Sequence, residues 1–420
     1  MPLWGERYLG DLMYISFFYF GSALLGALVG TYFKFPLFFL LVPLLLGIYK
    51  KPRLALAILF FLLSNFQIVN NVTLKGEFVG TIKTVQDGSS VAEVSYFDGV
   101  SWKRLNFDVL IYKEESLGTI VYFTGELRKR SSYPLFYAKM EYCATATNYS
   151  SPMYAIYKNF EEFRSYTERI DSFYKNLFGN SSRDEDFVNS GLFHIFCVSG
   201  MHVSILYLLT TYLVNLFVYK KLYRIVLSLV FPTAFVIGSG MNIPSLRALI
   251  MLYTLSIFQI LDYKVNPINI VSIVGTGMII SNPEIAFSLS FYMTFFATIG
   301  VLISSNNLLA NVGGFLGSSP YVSMINPINP FSIIATVLVS IPVEIILFGL
   351  TISYLFYTIH IYYLSDFILS ALLPFVWFVR IIAHLFANFP KIPQHPIVTI
   401  AFALTFIVYI GIILEQKAVE

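Results

Sequence analysis

The sequence predicts a polytopic α-helical membrane protein with one small β-domain inserted outside the membrane. Two observations carry this. Of the 420 residues, 57% are hydrophobic and 12% charged, about half the charged share of a soluble globular domain. Apolar runs of bilayer-crossing length also recur, among them Leu12 to Thr31, Ala286 to Ser304 and Ile397 to Leu414, and about 17–25 residues cross a bilayer. A third observation, a run of alternating residues between about 71 and 150, sets the β-domain apart.

The first 70 residues hold three apolar segments, about 12–33, 36–49 and 54–69, the second shortened by Pro36 and Pro43. Glu6, Arg7 and Asp11 precede the first and no small-residue cleavage site follows, so it reads as a retained helix. Lys50-Lys51-Pro52-Arg53 is a cytoplasmic-loop signal, which sends the third segment outward.

The β-domain is expected from four stretches: GEFVGTIKTV, SSVAEVSYF, KRLNFDVLIY and GTIVYFTGELRKR. Asp87-Gly88 and Asp98-Gly99 supply hairpin turns. Four to six short strands suit a small barrel, the oligonucleotide-binding (OB) type among them, and periodicity does not choose between barrels. Phe78, Tyr96, Phe97, Trp102, Tyr112, Tyr122 and Phe123 are candidate stacking rings, and Arg128-Lys129-Arg130 is a basic run. Nine acidic residues balance nine basic ones across 71–150, whereas nucleic-acid surfaces are normally basic.

Residues 151–190 form a lead-in. Ile156, Tyr157, Phe160, Phe163, Ile170, Phe173 and Leu177 share a helical stripe with Lys158, Glu161, Glu162, Arg164 and Glu168 mostly off it. The pattern fits an amphipathic helix in the membrane interface, or one packed on the β-domain. From 191 to 420 the chain is mostly membrane. Segments are expected near 225–240, 245–262, 266–281, 285–304, 331–351, 353–370, 371–388 and 396–415. The basic Tyr219 to Arg224 loop agrees with Lys50 to Arg53 on a topology that leaves the β-domain outside.

Within that region GLFHIFCVSGMHV (191–203) keeps His194, Ser199, Gly200 and His202 where leucine would be less costly. Ser199-Gly200 allows a bend with the histidines on two short arms. Their spacing of eight is wrong for two zinc ligands on one helical face, so no metal is assigned. Arg247 sits a few residues into an apolar helix, where a charge costs a few kcal/mol unless it meets a partner or a watery cavity. Ser245 is placed to cap that helix, and Gly238 and Gly240 let the preceding chain break. Glu284 and Arg380 are expected at the interface, their charges reaching to headgroups. No nucleotide-binding loop, nucleophile elbow or catalytic triad is present, and Cys143 and Cys197 fall in different compartments.

Several stretches go further. GLFHIFCVSGMHV resembles the signature GLxHLLAISGLHV of the ComEC-type competence proteins. IGSGMNIPSLRALIML is similar to that family's glycine-containing approach to Pro-Ser/Thr and Arg-Ala. NPEIAFSLSFYMTFFATIGVLI resembles its Pro then GFQLSF segment, with Ala286 in place of Gly and Ser288 in place of Gln. FGNSSRDEDFVNSG and SIPVEIILFGL fit the family's lead-in and a later helix opening, so the likeness covers about 179–350.

The resemblance implies an OB-like β-domain ahead of a membrane channel. That channel, in the bacterial inner membrane, carries single-stranded DNA inward during natural transformation. His194, Ser199, Gly200, His202, Ser245 and Arg247 would line the path, with Trp102, Arg128, Lys129 and Arg130 as weaker DNA contacts. Expected partners are single-stranded DNA, membrane lipids, an extracytoplasmic DNA receptor and a cytoplasmic motor or strand-binding protein. The H-x-H-x-D-H motif of the metallo-hydrolase-like domain that many members carry is absent. A separate nuclease would then degrade the other strand; the chain is expected to be the channel alone, without catalysis or cofactor. The competing expectation is a transporter or flippase for a lipid-linked or small anionic solute.

Overall fold

The computed structural model describes residues 5–30, 52–66, 74–86, 88–146, 151–178, 184–196, 200–304 and 306–419. They divide into two compact units, one of Met1–Asn148 with Ile257–Phe291, the other of Tyr149–Ser256 with Tyr292–Glu420. The segment 36–49, Lys50-Lys51, Asp87, Cys197 and Ser199 lie outside the described residues.

In the first unit, helices α1 (Gly5–Gly30) and α2 (Pro52–Phe66) pack closely. A Cβ on Gly26 would stand 2.2 Å from the Phe61 carbonyl oxygen, so only glycine allows this approach. Ser22 Oγ donates to the Ala57 carbonyl at 2.9 Å. Five strands follow: β1 (Lys75–Gln86), β2 (Ser89–Phe97), β3 (Trp102–Ile111), β4 (Ile120–Lys129) and β5 (Phe136–Ala146). They pair in the order β1-β2-β3-β5-β4 and close through β1 and β4. The four expected strands are all present and Phe136–Ala146 is a fifth. The Asp98-Gly99 turn forms as expected: Gly99 takes φ +91° and Asp98 Oδ1 accepts from the Val100 and Ser101 amides.

The rest of this unit is helical. Helix α9 (Pro267–Ser281) leads into a 3-10 turn, Pro283–Phe287. Asn282 joins this turn to the barrel, its Nδ2 donating to Asp108 Oδ2 at 2.7 Å beside the Tyr133 hydroxyl at 2.9 Å. Glu284, expected to reach headgroups, is instead 4% exposed within this cluster. Burial, and secondarily the Asp108 carboxylate, pushes the Glu284 acid up to about 8 from 4.5. The Tyr133 hydroxyl is pushed well up for the same two reasons in the same order.

The second unit begins with α3 (Pro152–Glu168), α4 (Ser172–Leu177) and α5 (Glu185–Ser190), then a 3-10 turn at Phe193–Ile195. The expected apolar stripe is there, and it faces protein. Phe160, Phe163, Phe173, Tyr174, Leu177 and Phe178 are buried in the main core of this unit. Arg164, expected off the stripe, is also buried and donates to the Gly238 carbonyl at 2.6 Å. Further helices follow along the chain: α6 (Gly200–Asn215), α7 (Lys221–Gly238), α8 (Ile243–Ile260), α10 (Leu289–Ile303), α11 (Asn307–Val322), α12 (Ser332–Thr358), α13 (Tyr362–Ala387) and α14 (Pro396–Val419), with the end of α8 and the start of α10 in the first unit.

Among the described residues five helices are long and apolar enough to cross a bilayer: Lys221–Gly238, Ile243–Ile260, Ser332–Thr358, Tyr362–Ala387 and Pro396–Glu415. Two expectations are corrected. The three segments 331–351, 353–370 and 371–388 are two long helices, continuous through Pro342 and Pro374. The break falls at His360, which takes φ +62°, where no glycine or proline marks it. Residues 307–322 are a helix where none was expected, because their glycines serve packing. A Cβ on Gly313 would lie 2.3 Å from the Gly300 carbonyl oxygen, and one on Gly317 2.4 Å from that of Phe296. Arg380 also has a partner rather than headgroups: its Nη1 and Nη2 reach the two Asp171 oxygens at 3.0 and 2.7 Å.

The Glu284 cluster yields a pH prediction. The folded chain keeps this proton to higher pH than the unfolded chain, so stability falls as pH rises from about 4.5 to 8. Glu284→Gln removes that slope, about 1 kcal/mol per pH unit. Thermal unfolding in detergent at a series of pH values checks it: the variant is expected to lose less Tm than wild type between pH 5 and 8.

Candidate functional site

The stretch that the sequence singles out is a break between helices. Asp184 starts α5 by accepting from the Asp186 amide at 3.1 Å. Gly191 ends it in the left-handed region, φ +79°, where a Cβ would meet the Ser332 side chain at 2.6 Å. After the short turn at Phe193–Ile195, α6 starts at Gly200. His194 is exposed, its Nδ1 2.9 Å from the Gly191 carbonyl oxygen. His202, one turn into the helix, is fully buried and bonds to the Ile195 backbone, near enough to feel the His194 ring. The two arms around the bend are therefore unequal, one open and one enclosed.

The second motif closes on the first. Gly240 and Met241 both take positive φ, +89° and +55°, which reverses the chain after α7. Asn242, with Nδ2 on the Ser239 carbonyl at 3.3 Å, precedes α8. Ser245 is not the cap. It lies inside the first turn, buried, and donates to the Asn242 carbonyl at 2.9 Å. Gly200 faces Ala248, to which a Cβ would stand at 3.6 Å, and Val203 packs with Val236, Ala248 and Leu249. Gly200, His202, Ser245 and Arg247 thus belong to two helix starts that touch, within one unit.

Arg247 is the chemical centre of this arrangement. It is 4% exposed. Its Nη2 donates to Thr298 Oγ1 at 3.0 Å, and Thr298 in turn donates to the Thr294 carbonyl at 2.7 Å. Nε and Nη1 are buried without a hydrogen-bond partner among the described residues. A buried guanidinium without a carboxylate is costly, because nothing replaces the water it has lost. Arg164 and Arg380 show the solved version of the same problem, one on a helix C-terminal carbonyl and one on a bidentate carboxylate. Thr298 went unread in the sequence, since a threonine in an apolar helix gives no signal of what it faces.

The β-domain candidates do not converge. Trp102 opens β3 and packs on Phe97 at 5.2 Å. Arg128 pairs across β5 with Tyr137, which pairs with Leu110 at the far end of β3. Eight positions of strand, about 26 Å, therefore separate the tryptophan from the basic run. Arg128 is tied to Glu126 at 3.0 Å, Lys129 is exposed and Arg130 half-buried. Phe78 and Phe123 are fully buried and stack on each other at 5.1 Å, so those two rings are core and not a platform.

A profile of the competence protein family matches residues 179–417, more than half of the chain. The chain belongs to the competence protein family. The matched region holds both helix starts and Arg247. An uncharacterized protein of Aquifex aeolicus (strain VF5) is 28% identical over 182 residues, covering 39% of this chain and 42% of that protein. The chain thus spans less than half the length of this relative. No solved structure matches it.

Removing the hydroxyl that Arg247 does use should cost stability. Thr298→Val is expected to destabilise the protein by about 1.5–3 kcal/mol, the range for a hydrogen bond to a charged group. Denaturation in detergent measures it. Adding Arg247→Met should recover most of the loss, because the two changes act on one contact.

Proposed function

We propose that this competence-family chain is an inner-membrane channel that passes single-stranded DNA into the cytoplasm during natural transformation, without catalysis of its own. Family membership supports a role in DNA uptake. The observation that carries the channel reading is Arg247, a buried cation with two donors unspent. A strand crossing a bilayer brings one phosphate per nucleotide and needs a wet, polar or cationic path. Arg247 is the phosphate-attracting group in this reading. Ser245 lies two residues before it on α8, and His202 lies on α6, which packs on α8 through Gly200 and Val203. His194 marks the open side of the bend, and Gly200 lets the two helix starts approach. Ser199 completes the set by its place in the motif.

The strand order β1-β2-β3-β5-β4 supports an OB-type barrel. Basic loops at Lys50 to Arg53 and Tyr219 to Arg224 support an extracytoplasmic position for the barrel. There it receives the strand from a surface receptor. With its charges matched, it guides more than it grips; exposed Trp102 and Lys129 are its points of contact, and Arg128 and Arg130 contribute charge. A cytoplasmic motor or strand-binding protein supplies the pull, and a separate nuclease removes the other strand.

Arg247→Met separates function from fold. Exchanging an unpaired buried charge for an apolar side chain should hold or raise Tm, while internalised labelled DNA falls to background at wild-type protein levels. His202→Ala should reduce uptake less. Full uptake by Arg247→Met removes the channel reading at this site. A deletion strain that transforms normally but shows an envelope or solute defect selects a transporter for an anionic solute instead.

A further inference from the structure

Helices α12 and α13 form an antiparallel hairpin whose two sides differ. On one side Ile334, Leu338, Ile341, Ile345, Phe348 and Leu355 are all exposed, spaced at three, four and seven residues. That is a single apolar stripe about 32 Å tall, the thickness of a bilayer's hydrocarbon core. The hairpin therefore stands at membrane depth with this stripe to lipid.

The other side is covered by the lead-in, along its whole length. At one end the Tyr166 hydroxyl bonds Asp366 at 2.5 Å and the Tyr362 carbonyl at 3.3 Å. Midway, the Tyr174 hydroxyl donates to the Leu369 carbonyl at 2.6 Å, and Asp171 takes both Arg380 donors. At the other end Asp186 meets His384 at 2.9 Å, Lys391 meets Asn189 Oδ1 at 2.6 Å, and Asn329 bridges the Asn189 and Phe386 carbonyls. From Tyr362 to Phe386 the helix rises about 36 Å. Residues 166–178 and 184–191 thus meet this helix at levels that span the depth of the bilayer core, and they are not lipid-facing in character. Glu168, Ser172 and Glu185 are exposed along the run, and Glu168 pairs with Lys175 at 2.9 Å.

We infer that the outer face of residues 166–178 and 184–191, backed by the hairpin of α12 and α13, borders water at membrane depth and forms one wall of an aqueous path through this unit. Lipid cannot solvate exposed carboxylates such as Glu168 and Glu185, nor the non-helical backbone between α3 and α4. The lead-in is thereby part of the conduit and not a tether on its way to it. Among its described residues acids outnumber bases, five to two, and three of the acids are paired, Glu168 with Lys175, Asp171 with Arg380 and Asp186 with His384, which gives a hydrated wall with little hold on a polyanion. The wall serves the channel reading given above, but its wetness is read without any DNA.

The test uses the full chain in liposomes with Cys143 and Cys197 replaced by serine. Single variants Glu168→Cys, Ser172→Cys and Glu185→Cys are compared with Ile341→Cys and Phe348→Cys. A membrane-impermeant maleimide is applied from both sides, gel filtration checks the fold, and a denatured sample shows that every thiol can react. The three lead-in positions are expected to label and the two stripe positions to stay unlabelled. Lead-in thiols that react only after denaturation overturn the wall. So do stripe thiols that label as readily as the lead-in, because the hairpin then lies outside the hydrocarbon. Failure here leaves the Arg247 uptake result standing, and a null Arg247 result leaves the labelling pattern standing.

Discussion

A charge held at membrane depth has to be solvated by something, and the bilayer offers nothing. The described part of the second unit is organised around that demand. Arg164 meets the carbonyl that ends α7, where the helix dipole is negative. Arg380 takes a bidentate carboxylate from Asp171, the same residue that starts α4 by accepting from the Phe173 amide. Both arginines are spent on architecture: they fix the lead-in to the helices it crosses. Arg247 stands apart because its surroundings satisfy one nitrogen through a threonine and leave two others. A fold that solves the problem twice and leaves it open a third time is the pattern expected where a ligand completes the site.

Backbone proximity is the second constraint, and it has the same origin. Helices in an apolar medium gain little from burying one more leucine, so they associate through close contact and through polar groups. Gly26 against Phe61, Gly238 against the Phe160 ring, and Gly300 against Gly313 are all approaches that a Cβ would block. Serine and threonine hydroxyls reinforce them, as with Ser304 Oγ and the Tyr409 hydroxyl at 2.7 Å. Gly200 is looser, with room for a Cβ beside Ala248. Its value lies in beginning a helix directly on another helix's first turn.

Much of this was legible in the sequence. Alternation gave four of the five strands almost to the residue, and Asp98-Gly99 gave its turn. Arg247 stood out because arginine is costly in lipid, and no neighbouring residue had to be known. What stayed hidden depended on tertiary partners. Ser245 read as a cap because serine before an apolar run usually is one, yet Asn242 opens the chain three residues earlier. Glu284 read as a headgroup contact because nothing local announces Asp108, more than 170 residues away. The break at His360 has no glycine or proline to mark it, and the glycines of 307–322 look like loop until Phe296 and Gly300 are seen beside them. Phe78 and Trp102 share a strand-like pattern, and only the closed ring of strands sends one inward and leaves the other out.

In the proposed channel the two polar features of the second unit would answer different halves of one transport problem. A strong cationic lining along the whole depth would trap a polyanion, since each phosphate would bind and none would leave. Conduction needs entry to be favourable and residence to be weak. A wall of partly paired carboxylates would supply hydration without attraction for a polyanion. On the proposed reading, one guanidinium with donors to spare would supply attraction at a single level, where each phosphate in turn replaces the last. If the proposed channel divides its labour in this way, the lead-in's excess of acids and Arg247's isolation are parts of the same solution, and a second unpaired arginine beside the first would slow the strand instead of helping it.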